Sequence, residues 1–151
     1  MAALPIIFDP QGQEVSSLVF SVDFDQSWLS FNPADENKDG LPDAIDFNLP
    51  EGFLAGAQYD PTDTDGELDV VIYSLGLPQS LLPAGNILTI GLVAGWPEGT
   101  FVAEVKSSLD PHASFGSPAG RSLAGVAVDG SVWIDGQAHN QIFLPVTIYK
   151  R

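Results

Sequence analysis

The side chains that could do chemistry in this chain are mostly carboxylates. Their densest cluster is Asp35-Glu36-Asn37-Lys38-Asp39-Gly40-Leu41-Pro42-Asp43-Ala44-Ile45-Asp46. Counted from Asp35, side-chain oxygens fall at positions 1, 3, 5, 9 and 12, with glycine at position 6. Calcium takes six to eight hard oxygen ligands, and a twelve-residue loop supplies them from alternating side chains, the carbonyl at position 7 and a glycine at the bend. The spacing therefore predicts a calcium site with Asp35, Asn37, Asp39, the Leu41 carbonyl, Asp43 and Asp46 as ligands. Asp46 is shorter than the bidentate Glu usual at position 12. Pro42 discourages a continuing helix, so the loop is expected to stand without flanking helices. An acidic turn chosen for backbone geometry alone would use the same residues. A second segment, Asp63 to Asp69, repeats half of the pattern, with Asp63, Asp65 and Asp69 at positions 3, 5 and 9 but Pro61 at position 1. It is expected to lend ligands to the first ion, to hold a weaker second ion, or to be only a turn.

Catalytic chemistry finds little else to work with. His112 and His139 lie in turn-like surroundings without a partner motif, no G-x-S-x-G occurs, and there is no cysteine. The carboxylates sit in ion-binding patterns, not as an acid–base pair on apolar strand ends. Lys106 lies on a strand, but nothing beyond that suggests a crosslinking role. The chain is expected not to be an enzyme.

Composition sets the outer limits. The 151 residues are most simply one domain, long enough to bury roughly two-thirds of the surface the unfolded chain exposes. Five Lys and Arg against twenty Asp and Glu give a formal charge of −15, which argues against nucleic acid and anionic membranes as partners. A hydrophobic fraction of 44% is too high for a disordered acidic tail. Without cysteine no disulfide frame is possible, and calcium is the available staple. Calcium loops of modest affinity fill outside cells, so the loop points to an extracellular or cell-surface setting. Met1-Ala2-Ala3-Leu4-Pro5 has neither the charged start nor the apolar run of a signal peptide, and reads as a start placed before a mature or excised domain. No run approaches the length of a spanning helix, so membrane insertion is not expected.

The elements that must position the acidic loops read as strands. Leu4 to Phe8 is a short apolar strand closed by the turn Asp9-Pro10-Gln11-Gly12. From Val15 to Asp25, Leu18, Phe20, Val22 and Phe24 alternate with Ser17, Val19, Ser21 and Asp23, the period of a half-buried strand. Trp28, Leu29 and Phe31 are expected to cap the core edge. Leu68 to Leu75 carries Val70 and Ile72 on one face and Val71 and Tyr73 on the other, so both faces are apolar. Such a strand is covered on both sides or presents a docking surface. Ile45 to Leu49, Ile87 to Val93 and Thr100 to Val105 are further strands, followed by a Pro-, Gly- and Ser-rich loop from Asp110 to Gly125. Asp129-Gly130, within Val126 to Ile134, signals a hairpin turn or a bulge. Ile142 to Tyr149 alternates again, and Pro145 puts it on a sheet edge. No helical period persists, and many short strands with Gly and Pro punctuation predict an all-β antiparallel sandwich or barrel.

Order and spacing of these segments resemble the cohesin family. Leu4-Pro5-Ile6-Ile7-Phe8, Gly12, and Val15 through Phe24-Asp25-Gln26-Ser27-Trp28-Leu29 match the family's opening I-P-V-x-F segment, turn and alternating strand. Glu67 to Ser74, Ile87 to Val93 and Val126-Ala127-Val128-Asp129-Gly130-Ser131-Val132 resemble later strands, the last of them the closing F-x-D-G-x-V, so the likeness spans residues 4 to 134. The resemblance implies a jelly-roll β-sandwich whose flat face binds a dockerin, a calcium-loaded helical module of another protein. Carried over, the docking face would comprise Ser17, Val19, Val70, Ile72 and Leu75, with Ala57 and Tyr59 beside them. Ser17 and Val19 stand where one cohesin class has Asn and Asp, which implies apolar recognition. Covering of Val70 and Ile72 by another strand or loop is the alternative. The family's first strand is absent, and residues 141–150 are expected to fill the vacant edge as an extra C-terminal strand. An open edge, or a strand-exchanged dimer in place of a monomer, is the other outcome.

Two further functions share this architecture. A carbohydrate-binding module binding polysaccharide needs exposed coplanar aromatics, for which Trp96, Trp133 and Tyr59 are the candidates, while Trp28 is expected in the core. A structural surface-protein or adhesin domain needs neither an apolar patch nor an aromatic strip.

Overall fold

The computed structural model describes residues 2–62, 65–95, 98–109, 111–135 and 140–149. Among them every regular element is a strand. In chain order these are β1 (Ala2–Asp9), β2 (Ser17–Phe24), β3 (Leu29–Phe31), β4 (Ile45–Phe47), β5 (Phe53–Asp60), β6 (Glu67–Ser74) and β7 (Gly85–Ala94). They continue with β8 (Thr100–Ser107), β9 (Ser114–Gly116), β10 (Ser122–Leu123), β11 (Val126–Val128), β12 (Gly130–Asp135), β13 (Asn140–Leu144) and β14 (Val146–Tyr149).

Alternation along β2 explains the layering. Leu18, Phe20, Val22 and Phe24 are at most 2% exposed. Their chain neighbours Ser17, Val19 and Asp23 are half-buried on the opposite face. Each large side chain taken from water contributes about 1.5–3 kcal/mol, so a face carrying four of them has to meet another layer. That layer is supplied by Leu4, Ile6 and Phe8 of β1 and by Leu88, Ile90 and Leu92 of β7, all at most 1% exposed. One sheet runs β11-β14-β1-β7-β3 with β4 also on β7. The other runs β10-β9-β2-β8-β12-β13, with β6 on the free side of β2 and β5 outside β6. All pairings are antiparallel except β1 with β14. The chain crosses between the sheets at most connections, the winding of a jelly roll, and the fold is an all-β antiparallel sandwich. No helix among the described residues is long and apolar enough to cross a membrane.

β5 (Phe53–Asp60) is a strand not expected from the sequence, and three further segments differ from the expectation. The tail forms two strands instead of one edge strand. β13 lies at the edge of the eight-stranded sheet beside β12, while β14 sits inside the other sheet between β1 and β11. Pro145 falls in the break between them, where its missing N–H removes no ladder bond. Asp129-Gly130 makes neither hairpin nor bulge, because β11 and β12 belong to different sheets and the chain crosses over there. The Asp129 carboxylate accepts a hydrogen bond from the Ser107 N–H at 2.9 Å, fixing the crossing to the end of β8. The stretch 110–125, read as loop, contains the small β9–β10 pair. Phe115 anchors it, 3% exposed and stacked on Phe8 with ring centroids 6.4 Å apart. A Cβ on Gly125 would lie 2.0 Å from that ring, so this position requires glycine or a displaced Phe115.

Candidate functional site

Two regions carry the residues singled out by sequence: the 35–46 loop and the outer face of the eight-stranded sheet. The loop bends on itself through side chain-to-backbone bonds. Asp35 accepts from the N–H of Asp39 at 3.1 Å and of Gly40 at 2.9 Å. Asn37 accepts from Asp39 N–H at 2.8 Å, and Asp39 from Leu41 N–H at 2.9 Å. Asp43 closes the turn by accepting the Glu36 N–H at 2.8 Å. Lys38 and Gly40 have φ of 62° and 89°, the left-handed region that glycine occupies without strain. A cavity of about 260 Å³ opens between Asn37, Asp39, Leu41 and Asp43, with Ile45 and Phe47 behind it. Four of the six residues expected to supply ligands therefore line one cavity. Asp35 is engaged at the bend, and Asp46 stands exposed on β4, paired with Thr89 of β7. Each carboxylate oxygen that accepts one N–H keeps a second lone pair, so the donor chemistry suits a hard cation. Among the described residues no three acidic or imidazole groups converge closely enough to hold a metal ion as the loop stands.

The half-pattern at 63–69 is not gathered in the same way. Asp63 lies outside the described residues. Asp65 is exposed at a turn whose carbonyl accepts the Phe24 N–H at 3.0 Å. Asp69 is on β6, where the Ser21 hydroxyl donates to its carboxylate.

The outer face is ordered by strand register. Across β5, β6 and β2 the outward rows are Leu54–Tyr73–Ser17, Gly56–Val71–Val19 and Gln58–Asp69–Ser21. Leu54 is 47% exposed, Val71 and Tyr73 are each 36% exposed, and Leu75 just beyond β6 is 66% exposed. A shallow groove of about 300 Å³ runs over Gly56 between Val19, Gln58, Asp69 and Val71. A Cβ on Gly56 would come within 3.0 Å of Val71 Cγ1, so the glycine lets the valine lie across its neighbour strand.

Four expected docking residues are not on this face. Val70 and Ile72 are 1% and 0% exposed and point into the sandwich. Ala57 and Tyr59 pack against the same core, the Tyr59 ring lying 6.0 Å from Phe24 and 5.1 Å from Phe31. The docking positions implied by the resemblance place Val70 and Ile72 outward, and the alternative, that they are covered, is what the structure shows. Glu67 and Asp69 carried the correcting signal: they share parity with Val71 and Tyr73, and two carboxylates cannot face an apolar core. Asp60 and Gln58 give the same sign for Leu54. Ser17, Val19 and Leu75 stay on the outer face or at its border.

Beyond β2 the outer face changes character. Glu104 and Lys106 of β8 form an exposed ion pair at 2.9 Å, beside a cleft of about 340 Å³ lined also by Asp23, Asp25 and Asp65. Past this charged band, Val102 and Trp133 are cross-strand partners and half exposed. Trp28 packs on Phe101 at 4.4 Å. Of the proposed sugar platform, Trp133 alone is seen exposed, because Tyr59 faces the core and Trp96 lies outside the described residues. His112 is exposed; His139 lies outside the described residues.

No family model matches the chain, and no curated protein matches it. Among solved structures the chain is similar to the sixth cohesin of scaffoldin B from Acetivibrio cellulolyticus, determined in complex with a mutant Cel5 dockerin. Identity is 14%, the TM-score is 0.49, and 99% of each chain is covered. It is also similar to a structure from Clostridium thermocellum described as a type I cohesin–dockerin complex, Coh-OlpA-Doc918, with 13% identity, a TM-score of 0.38 and 99% of each chain covered.

Proposed function

We propose that this chain is a non-catalytic protein–protein interaction module that takes a dockerin-like partner on the outer face of β5, β6 and β2. The observation that carries this reading is the patch of Leu54, Val71 and Tyr73, with Val19 beside Val71, left in water on a sheet whose other face already fills the core. Antiparallel sheets commonly turn a polar face to solvent, and contiguous exposed apolar groups usually mark an interface. Gln58, Asp69 and the Glu104–Lys106 pair supply the polar rim that surrounds such a patch. The dockerin-like partner follows from the resemblance of the strand motifs to cohesins. A calcium ion in the 35–46 loop, held by Asn37, Asp39, Asp43 and the Leu41 carbonyl with Asp35 fixing the bend, supports the fold in an extracellular setting.

Isothermal titration with a dockerin-like module tests the docking face. Val71→Glu is expected to cost about 2 kcal/mol or more of binding, roughly a thirtyfold loss, since it buries a charge at the patch centre. The melting midpoint should hardly move, because the side chain points to solvent. Equal affinity for wild type, Val71→Glu and Tyr73→Ala would sink the assignment.

A further inference from the structure

β5 ends the eight-stranded sheet: it pairs with β6 on one side, and no described strand pairs with the other. Natural edge strands are usually blunted by short length, proline, inward charge or a bulge, because an open row of N–H and C=O groups recruits another strand. Residues 53–59, Phe-Leu-Ala-Gly-Ala-Gln-Tyr, contain neither proline nor charge. Their register with β6 runs unbroken over all eight positions of the strand. The inward side chains Phe53, Ala55, Ala57 and Tyr59 are only half-buried, whereas the corresponding side chains of β2 and β6 are buried. The edge thus leaves both backbone bonds and apolar surface incomplete.

We propose that this edge pairs with β5 of a second copy of the chain, antiparallel, about a twofold axis through Gly56. The argument for a second copy is the strand's own sequence, whose side-chain sizes read nearly alike in both directions. Centring on Gly56 sets Ala55 opposite Ala57, Leu54 opposite Gln58, and Phe53 opposite Tyr59, each twice. Small residues meet at the centre, and an aromatic pair closes each end on the inward face, where cross-strand aromatic pairs are favourable. A slip by one residue would turn one copy's inward side chains outward, and a slip by two, which keeps the faces, would set Phe53 opposite Ala57 or Ala55 opposite Tyr59, so the size match favours the register centred on Gly56. The axis is perpendicular to the sheet, which leaves both outer faces on the same side: the dimer is a continuous sheet presenting two docking patches in one platform. The formal charge of −15 on each copy opposes association. Asp60 ends the strand and Glu51 precedes it, Asp69 and Glu67 stand on β6, one strand back from the paired edge, and repulsion from the remaining carboxylates is long-range and screened by salt.

Sedimentation equilibrium on the chain alone, without any partner, tests this. The wild type is expected to show a monomer–dimer equilibrium that tightens between about 0.15 M and about 1 M salt as the screening length falls from about 8 Å to about 3 Å. L54K/Q58K sets lysine opposite lysine twice across the axis and should weaken the dimer at least about tenfold, the size of a 1.4 kcal/mol change. It also lowers the net negative charge by two, so charge alone would strengthen association. L54K/Q58E sets lysine opposite glutamate and should restore the dimer. Both positions are exposed, and circular dichroism of each variant checks that it folds. A monomer at every concentration and salt, or a dimer equally stable in the two variants, would overturn the proposal.

Discussion

β6 presents the same chemistry on two faces and meets two fates. Leu68, Val70 and Ile72 on the inner face are at most 1% exposed, while Val71 and Tyr73, alternating with them, are each 36% exposed. Hydrophobicity does not distinguish the two rows. What distinguishes them is company: the outer row shares its face with Glu67, Asp69, Ser17 and Gln58, and the inner row lies beside Leu18, Phe20 and Val22 in the common core. A side chain's contribution to stability is set by what covers it. An apolar group left uncovered contributes little to the fold and remains available to a partner.

The largest expected effect is on the inner face. Ile72→Ala removes a fully buried branched side chain at the strand's centre and should destabilise by about 2–5 kcal/mol, the range for large-to-small core changes. Val71→Ala, one residue away, should stay within about 1 kcal/mol of wild type in denaturant unfolding, since half-exposed groups lose little covered surface. Comparable losses for the two would mean that something covers the outer row, and the docking assignment would fall with the contrast.

This contrast marks where the sequence was legible. In β2 the alternating positions are mostly polar, so only one phase buries Leu18, Phe20, Val22 and Phe24. In β6 both phases are apolar from residue 70 to 73, and the decision rests on Glu67 and Asp69 at the strand's start. The β9–β10 pair is too short for any period, and only Phe115 in a Ser- and Gly-rich stretch hints at a buried anchor. The crossing at Asp129 is a tertiary event: Asp-Gly specifies a turn locally, but whether the next strand returns to the same sheet depends on which layer has room. The 35–46 bend was readable because Asp35, Asn37 and Asp39 accept from backbone N–H groups within five residues of their own positions, whereas Asp43 reaches back to Glu36 and Asp46 belongs to β4.

Calcium should separate stability from docking. The loop feeds β4, which pairs with β7 in the six-stranded sheet, away from the outer face of the other. An ion that binds only the folded state adds roughly 3 kcal/mol at a hundredfold excess over its dissociation constant. Chelator should therefore lower the melting midpoint of wild type but not of Asp39→Ala, while Asp39→Ala, titrated with calcium present so that the partner keeps its own ions, should bind the partner with unchanged affinity well below that midpoint. A midpoint indifferent to chelator would reduce the loop to an acidic turn held by its own amides.

The smallest expected effect lies in the charged band of the outer face. Glu104 and Lys106 pair at 2.9 Å with 67% and 55% of their side chains exposed. The hydrogen bond from Lys106 to Glu104, and then the charge of that carboxylate, raise the Lys106 amine above its ordinary 10.5, with weaker help from Asp65 and Asp129. A raised folded value means that the pair's contribution is fully present below pH 10.5 and is lost as pH rises through the folded value. Lys106→Met should then lower the melting midpoint only slightly at neutral pH and low salt, with the difference closing at high salt and in strong base. A large drop that persists at high salt would show Lys106 packing its stem into the sheet, and the outer face would then help to hold the fold as the inner face does.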